Sequence, residues 1–226
     1  KIKSKNNFWN NKKNLFKLYQ KAHTPINWLP TLFKYAKEIK LDLYASVFDL
    51  DTLKLLEKLN CPAYKIASPE INHQPLVDKI SKLNKPVIFS TGLAKLNEIE
   101  NVIKILKKNK CRKAIILKSN TDYPADLQDS HIRNISYLKK KFNILVGFSD
   151  HTISNYSSLA ATALGSSMLE KHLKLDESKK GIDSFFSLSP QKFKKLIVEV
   201  RQTEKSLGNY KYLLPKKIFK NRHNLR

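Results

Sequence analysis

Two histidines in this 226-residue chain stand at the ends of neighbouring apolar runs: His151 just after 144–149, and His172 at the end of 167–172. Imidazoles placed in this way can converge on one ion. The pair suits manganese, iron, cobalt or zinc, with a carboxylate or water completing the shell. A lone histidine is more often structural than ligating. A pair at adjacent strand ends, one inside Ser149-Asp150-His151-Thr152, is a more specific signal. A second group of residues suits an anion. Ser46, Ser68, Ser90 and Ser149 also close apolar runs, with Lys65 among them. Hydroxyl and ammonium groups are good phosphate partners. Lys65 sits between Tyr64 and Ile66, in a run of core character. A buried lysine needs a counter-charge, and the partner expected for Lys65 is a phosphate.

Six strand-length runs must position these groups: 41–46, 63–68, 86–91, 114–118, 144–149 and 167–172. Helical stripes lie between and after them. Leu53, Leu56 and Leu59 share one face, as do Ile99, Val102, Ile103 and Leu106, and then Phe193, Leu196, Ile197 and Val200. Such stripes turn toward a sheet while the lysines between them face water. Pro30 and Pro190 fall where helices begin, since proline fits a first helical turn. Strands alternating with helices predict a parallel sheet. No glycine-rich phosphate loop follows any strand, so a (β/α)8 TIM-type barrel fits better than a nucleotide-binding fold. About six of its eight βα units are present. Residues 1–40 read as a basic segment and one helix, 41–208 as the partial barrel, and 209–226 as a tail.

In a barrel of this kind the C-terminal ends of the strands share one face, which carries the active site. Every run here ends in polar groups: Ser46; Lys65, Ser68 and Glu70; Ser90 and Thr91; Lys118 to Thr121; Ser149, Asp150 and His151; Glu170, Lys171 and His172. Strand ends meet solvent and are polar in any case. Six in succession, with lysine and histidine expected to point inward, favour an active site.

Composition removes other classes. Lys and Arg number 43 against 19 Asp and Glu, a net charge of +24. A basic surface can bind nucleic acid through phosphate neutralisation or attract small anionic substrates. The lysines are spread along the chain, and no zinc finger, helix-turn-helix or aromatic RNA-binding signature interleaves them. Nucleic acid is therefore not the expected partner. No apolar run reaches eighteen residues, so no membrane span is expected, and the polar start lacks the apolar stretch of a secretory signal. Cys61 and Cys111 form no disulfide framework and read as reduced thiols of a cytoplasmic protein.

The motifs Ala63-Tyr64-Lys65-Ile66-Ala67-Ser68, Lys85-Pro86-Val87-Ile88-Phe89-Ser90-Thr91-Gly92, Tyr123-Pro124-Ala125, Val146-Gly147-Phe148-Ser149-Asp150-His151-Thr152, Glu170-Lys171-His172 and Phe186-Ser187-Leu188 occur in this order. Together they resemble the sialic acid synthase family, from about Tyr19 to Gly208. The resemblance implies condensation of phosphoenolpyruvate with an open-chain N-acetylated amino sugar, with release of phosphate. It implies that His151 and His172 hold a divalent metal, manganese first, with magnesium or cobalt as alternatives. It gives Ser46, Lys65, Ser68, Ser90, Thr121 and Ser149 to phosphoenolpyruvate. Glu70, Tyr123 and Asp183 go to the sugar, and Lys65 and Asp183 take catalytic roles. A homodimer is implied as well. Thr24-Pro25-Ile26-Asn27-Trp28 and the 183–188 segment resemble the pseudaminic acid branch more than the N-acetylneuraminic acid branch.

The chain departs from the family pattern in several places. Ser46 stands where threonine is usual, Pro69 where phenylalanine is usual, and Lys118-Ser119-Asn120-Thr121 replaces a His-Cys-Thr-like run. Two leading βα units of the family, one carrying a catalytic glutamate, are not found in residues 1–40. Residues 222–226 resemble an arginine-rich linker toward an antifreeze-like domain. On this reading the isolated chain turns over poorly or not at all, and its barrel carries open edges near 41–46 and 168–172, where unpaired strands invite pairing with another chain. The competing class is an inactive remnant that binds metal, phosphate or a partner chain.

Overall fold

A computed structural model describes residues 20, 22–175, 181–209, 211–212 and 214–224. The basic stretch 1–19 and the last two residues lie outside the described residues.

All six expected strands form, and they run parallel in chain order. They are β1 (Ala45–Ser46), β2 (Tyr64–Ile66), β3 (Val87–Ser90), β4 (Ala114–Ser119), β5 (Leu145–Asp150) and β6 (Leu169–Lys171). The helices are α1 (Leu29–Glu38), α2 (Leu50–Lys58), α3 (Gln74–Ser81), α4 (Leu96–Lys108), α5 (Asn134–Phe142), α6 (Tyr156–Ala163), α7 (Pro190–Leu207) and α8 (Lys216–Asn221). The result is an arc of six parallel strands, a partial barrel that does not close. Among the described residues β1 and β6 are its edges. β1 is shorter than its apolar run and pairs on one side only, through Ala45 opposite Tyr64 and Ser46 opposite Lys65.

Period-two alternation divides each strand between two faces. Tyr64 and Ile66, Val87 and Phe89, Ala114 and Ile116, and Val146 and Phe148 are buried toward the helices. They meet Leu53 and Leu56 of α2, Leu76 and Ile80 of α3, Ile99, Val102 and Leu106 of α4, and Ile135 and Leu138 of α5. Lys65, Ser90, Ser119, Ser149 and Glu170 are left for the opposite face. The stripe of α7 is a correction. Leu196 is buried, but Ile197 is 48% exposed. An edge strand offers α7 no second neighbour to pack into, and a cavity of about 280 Å³ lined by Thr162, Met168, Phe193 and Val200 remains beneath it.

Local chemistry sets the helix ends. Pro30 and Pro190 occupy first-turn positions of α1 and α7. Asp49 caps α2, its Oδ1 accepting from Asp51 N at 2.9 Å and Thr52 N at 2.7 Å. Glu98 reaches back to the Lys95 amide at 2.6 Å at the start of α4. The last turns carry lysines: Lys37, Lys58, Lys79, Lys107 and Lys108, and Lys139 to Lys141. In parallel βα units these turns fall on the face away from the strand C-termini, where cations complement the helix dipole. These eight lysines thus sit opposite the site.

Lys40, Asn60, Asn84, Lys110 and Asn143 follow helices with positive φ, where glycine is the usual residue. Lys110, at φ 57°, carries a Cβ in this left-handed conformation. Lys110→Gly is expected to raise the unfolding free energy by about 0.5–1 kcal/mol, the relief of strain less glycine's added chain entropy. Urea denaturation checks this; a lower midpoint would show that Lys110 earns its place through contacts of its stem.

Candidate active site

The C-terminal ends of the strands bring their polar groups to one mouth. Lys65 rises from β2 and Glu170 from β6, yet Lys65 Nζ lies 2.5 Å from Glu170 Oε1. Three strands separate β2 from β6 in the sheet, so the pair closes across its concave face. Ser149 on β5 donates to the same Oε1 at 2.7 Å. Burial raises the Glu170 pKa, but the Lys65 charge, hydrogen bonds from Lys65 and Ser149, and the nearby His151 together bring it below the usual carboxylate value. The counter-charge expected from a phosphate is therefore already supplied to Lys65 by Glu170.

His151 and His172 follow β5 and β6, with ring centroids 5.3 Å apart. His151 Nδ1 lies 2.6 Å from the Asn120 carbonyl oxygen. A carbonyl can only accept, so Nδ1 holds the proton and Nε2 keeps a free lone pair. His172 Nδ1 turns toward Asp183 Oδ2 at 3.8 Å, an electrostatic contact too long for a hydrogen bond. Burial, partly offset by the Asn120 bond, brings His151 down to about 4. Burial also lowers His172, against the opposing pull of Asp183 and Glu170. Neutral imidazoles with Nδ1 turned to oxygen are the form that ligates a metal. Among the described residues no group of three or more His, Cys, Asp or Glu side chains could hold an ion. A bound metal would have these two imidazoles and open positions for other ligands.

Two backbone ties hold the loops over this pair. Ala125 N donates to the His151 carbonyl at 3.0 Å, which keeps Tyr123 against His151, ring centroids 4.4 Å apart. Leu188 N donates to the His172 carbonyl at 2.9 Å, bringing Phe186 to 4.6 Å from the His172 ring. Tyr123 and Phe186, 5.1 Å apart, complete an aromatic wall.

The remaining predicted residues fall nearby or along the same rim. Ser46 is paired with Lys65 in register. Ser68 and Thr121 converge on Gly92: a Cβ there would lie 2.6 Å from Ser68 Oγ and 2.5 Å from Thr121 Cγ2. Ser90 is buried at the end of β3. Glu70 has a buried Oε2 with no partner, and burial raises its pKa despite its own backbone bond and the charge of His73. Such an orphaned acceptor fits a hydroxyl- or amide-bearing ligand.

Not every polar strand end points inward. Lys171 and Asp150 turn toward the helices, where their side chains are 2% and 0% exposed and pair at 2.8 Å. Lys171 also donates to the Thr152 and Ser154 carbonyls, and Asp150 accepts from Ser158 Oγ and Thr152 N. This satisfied buried network braces the segments carrying both histidines. Lys118 faces the helix layer as well. Alternation along the strand could have shown this, since Asp150 and Lys171 are each one residue from the inward set. Glu170, two residues before His172, carried the same signal for an inward role. Asn120 belonged to the polar run 118–121, but nothing local marked its carbonyl as the partner of His151.

The NeuB family model matches residues 1–212. The chain is 38% identical over 197 residues to a pseudaminic acid synthase of Helicobacter pylori, covering 87% of this chain and 58% of that protein. It is 37% identical over 201 residues to an N,N'-diacetyllegionaminic acid synthase of Campylobacter jejuni, covering 88% of this chain and 60% of that protein. A crystal structure of N-acetylneuraminic acid (sialic acid) synthetase from Leptospira borgpetersenii, in complex with citrate, matches with a TM-score of 0.87 at 28% identity, covering 96% of this chain and 75% of that chain. The chain spans about three fifths of the length of the curated relatives it matches.

Glu170→Gln leaves Lys65 without a counter-charge. The expected loss of stability is about 2–3 kcal/mol, below the figure for a fully buried pair because both side chains keep some water. An unchanged urea midpoint would show that the pair does not tie the arc together. Gly92→Ala drives a methyl into Ser68 and Thr121 and is expected to cost about 1–3 kcal/mol. Denaturation without a shift would mean that both side chains rotate away freely.

Proposed function

The chain belongs to the NeuB family, and on that premise we propose that it is a sugar acid synthase condensing phosphoenolpyruvate with an N-acetylated amino sugar. The observation that carries this reading is the meeting of Lys65, Ser149 and Glu170 with two imidazoles whose Nδ1 atoms face oxygen. Pseudaminic acid is the proposed product, with N-acetylneuraminic acid next. The support is the Thr24–Trp28 segment and the 183–188 loop whose Phe186 packs on His172. Identities of 38% and 37% to synthases of two different sugar acids do not separate the sugars. The inactive-remnant reading is not favoured, because relatives at 37–38% identity are named as synthases and both imidazoles and Lys65 are in place.

The chain's own residues divide the work. Lys65 with Ser46, Ser68, Ser90, Thr121 and Ser149 would bind the phosphate and carboxylate of phosphoenolpyruvate and offset their charge. Glu70 and Tyr123 would orient the amino sugar. Asp183, beside His172, would accept or return a proton at the sugar oxygen. Glu170 pairs with Lys65 and aims it into the mouth. Holding two substrates in one mouth lowers the barrier by up to about 7–11 kcal/mol. His151 and His172 would hold a divalent metal, manganese first and magnesium or cobalt otherwise, which would make the aldehyde more electrophilic.

We place phosphoenolpyruvate and the sugar as its small-molecule partners, a second copy of the chain as its protein partner, and the cytoplasm as its compartment. Among the described residues no helix is long and apolar enough to cross a membrane. Residues 209–226 are proposed as a linker.

Calorimetry on the chain and on His151→Ala with His172→Ala tests this reading. Manganese is expected to bind the unmodified chain and to tighten phosphoenolpyruvate at least tenfold, with both effects lost in the double variant. A folded protein that binds neither ligand overturns it. Calorimetry with the acceptor sugars of pseudaminic, legionaminic and N-acetylneuraminic acid synthases then tests the product; tighter binding of either of the last two moves the assignment.

A further inference from the structure

Three lysines stand at the ends of the strands, and they are treated differently. Lys65 pairs with Glu170 and Lys171 with Asp150. Lys118, on the helix side of β4, is 7% exposed and its Nζ lies 5.7 Å from the centre of the Phe148 ring. Among the described residues no carboxylate or carbonyl is within bonding reach of its Nζ; Asp129 and Asp150 act on it only through space. It sits in a groove of about 450 Å³ between the starts of α4 and α5, also lined by Thr91, Asn120, Thr121, Asp129 and His131. Asn120, which also lines the groove, has a buried Nδ2 with no partner. Asp122 and Tyr137 complete the titratable groups of the groove.

We propose that Lys118 is a modification site, an amine acylated by small acyl phosphates in preference to the exposed lysines. The groove has room for such a donor. The side-chain amide of Asn120 and the hydroxyls of Thr91 and Thr121 line the groove and suit its phosphoryl end. The unprotonated Nζ attacks the acyl carbon. A nitrogen–carbon bond forms, the carbon–oxygen bond to phosphate breaks, phosphate leaves with the electron pair, and the amine proton passes to water. Burial makes the unprotonated form available: it brings Lys118 down to about 8, against Asp129 and Asp150, which favour the charged form. At pH 7.5 about a quarter of Lys118 is then neutral, against about one in a thousand for an ordinary exposed lysine.

The full chain is incubated with acetyl phosphate between pH 6.5 and 10, and the rate at each lysine is read by peptide mass spectrometry. The roughly 200-fold gain in neutral amine is partly offset by the lower nucleophilicity of a weaker base. Lys118 is therefore expected to react about tenfold faster than the exposed Lys104 and Lys107 at pH 7.5. Its rate should level off above about pH 8, while theirs continues to rise. Asp129→Asn should move that plateau to lower pH, and Lys118→Arg should remove the fast site and leave the other rates alone. Lys118 reacting no faster than Lys104 and Lys107 at pH 7.5, or climbing with them to pH 10, overturns the proposal. Neither outcome depends on synthase activity.

Discussion

A charged side chain on the concave face of a parallel sheet loses water from most directions, and the structure is organised around meeting that cost. Lys65 and Glu170 do so together across the arc. Each alone would be an uncompensated charge in a partly dry site; paired, and with Ser149 donating to the same oxygen, they hold β2, β5 and β6 at one curvature. The strand ends carrying the two histidines inherit their positions from that curvature. The centroid distance of 5.3 Å between the imidazoles follows from the adjacency of β5 and β6 in that curved sheet.

The strand alternation that places Lys65 and Glu170 inward sends their neighbours outward. Lys171, next to Glu170, is more deeply buried than Glu170 and meets the same electrostatic demand with Asp150 and two carbonyls. This second pair lies behind the histidines and fixes the backbone from which they project. Lys118 is the third case, a lysine in the helix layer whose nearest charges act only through space. One polar strand end therefore has three outcomes: an inward pair in the mouth, an outward pair in the wall, and an amine opening on a groove.

Loops finish what the sheet begins. Asn120 uses its backbone carbonyl to set the tautomer of His151, and the ties from Ala125 and Leu188 fold the flanking loops over the two rings. Gly92 keeps the floor between Ser68 and Thr121 open because any side chain there would collide with both. On the opposite face, lysines crowd the last turns of the helices, where the helix dipole favours them. The strong positive charge of the chain therefore has a structural outlet apart from substrate and nucleic acid.

By itself the sequence determined the six strands, the helical stripes of α2 and α4, the proline starts of α1 and α7, and the two histidines at neighbouring strand ends. These follow from period, propensity and short motifs, which are local. It marked Lys65 as a lysine in need of a partner but pointed to a phosphate, because Glu170 lies 105 residues away along the chain. Strand alternation already implied the outward turn of Asp150, Lys171 and Lys118; their partners, the role of Asn120, and the loose seat of α7 came only with the tertiary structure. Each depends on which strand edge, helix or carbonyl stands opposite. That is decided by the curl of the whole arc, since side chains distant in sequence meet only when the sheet bends.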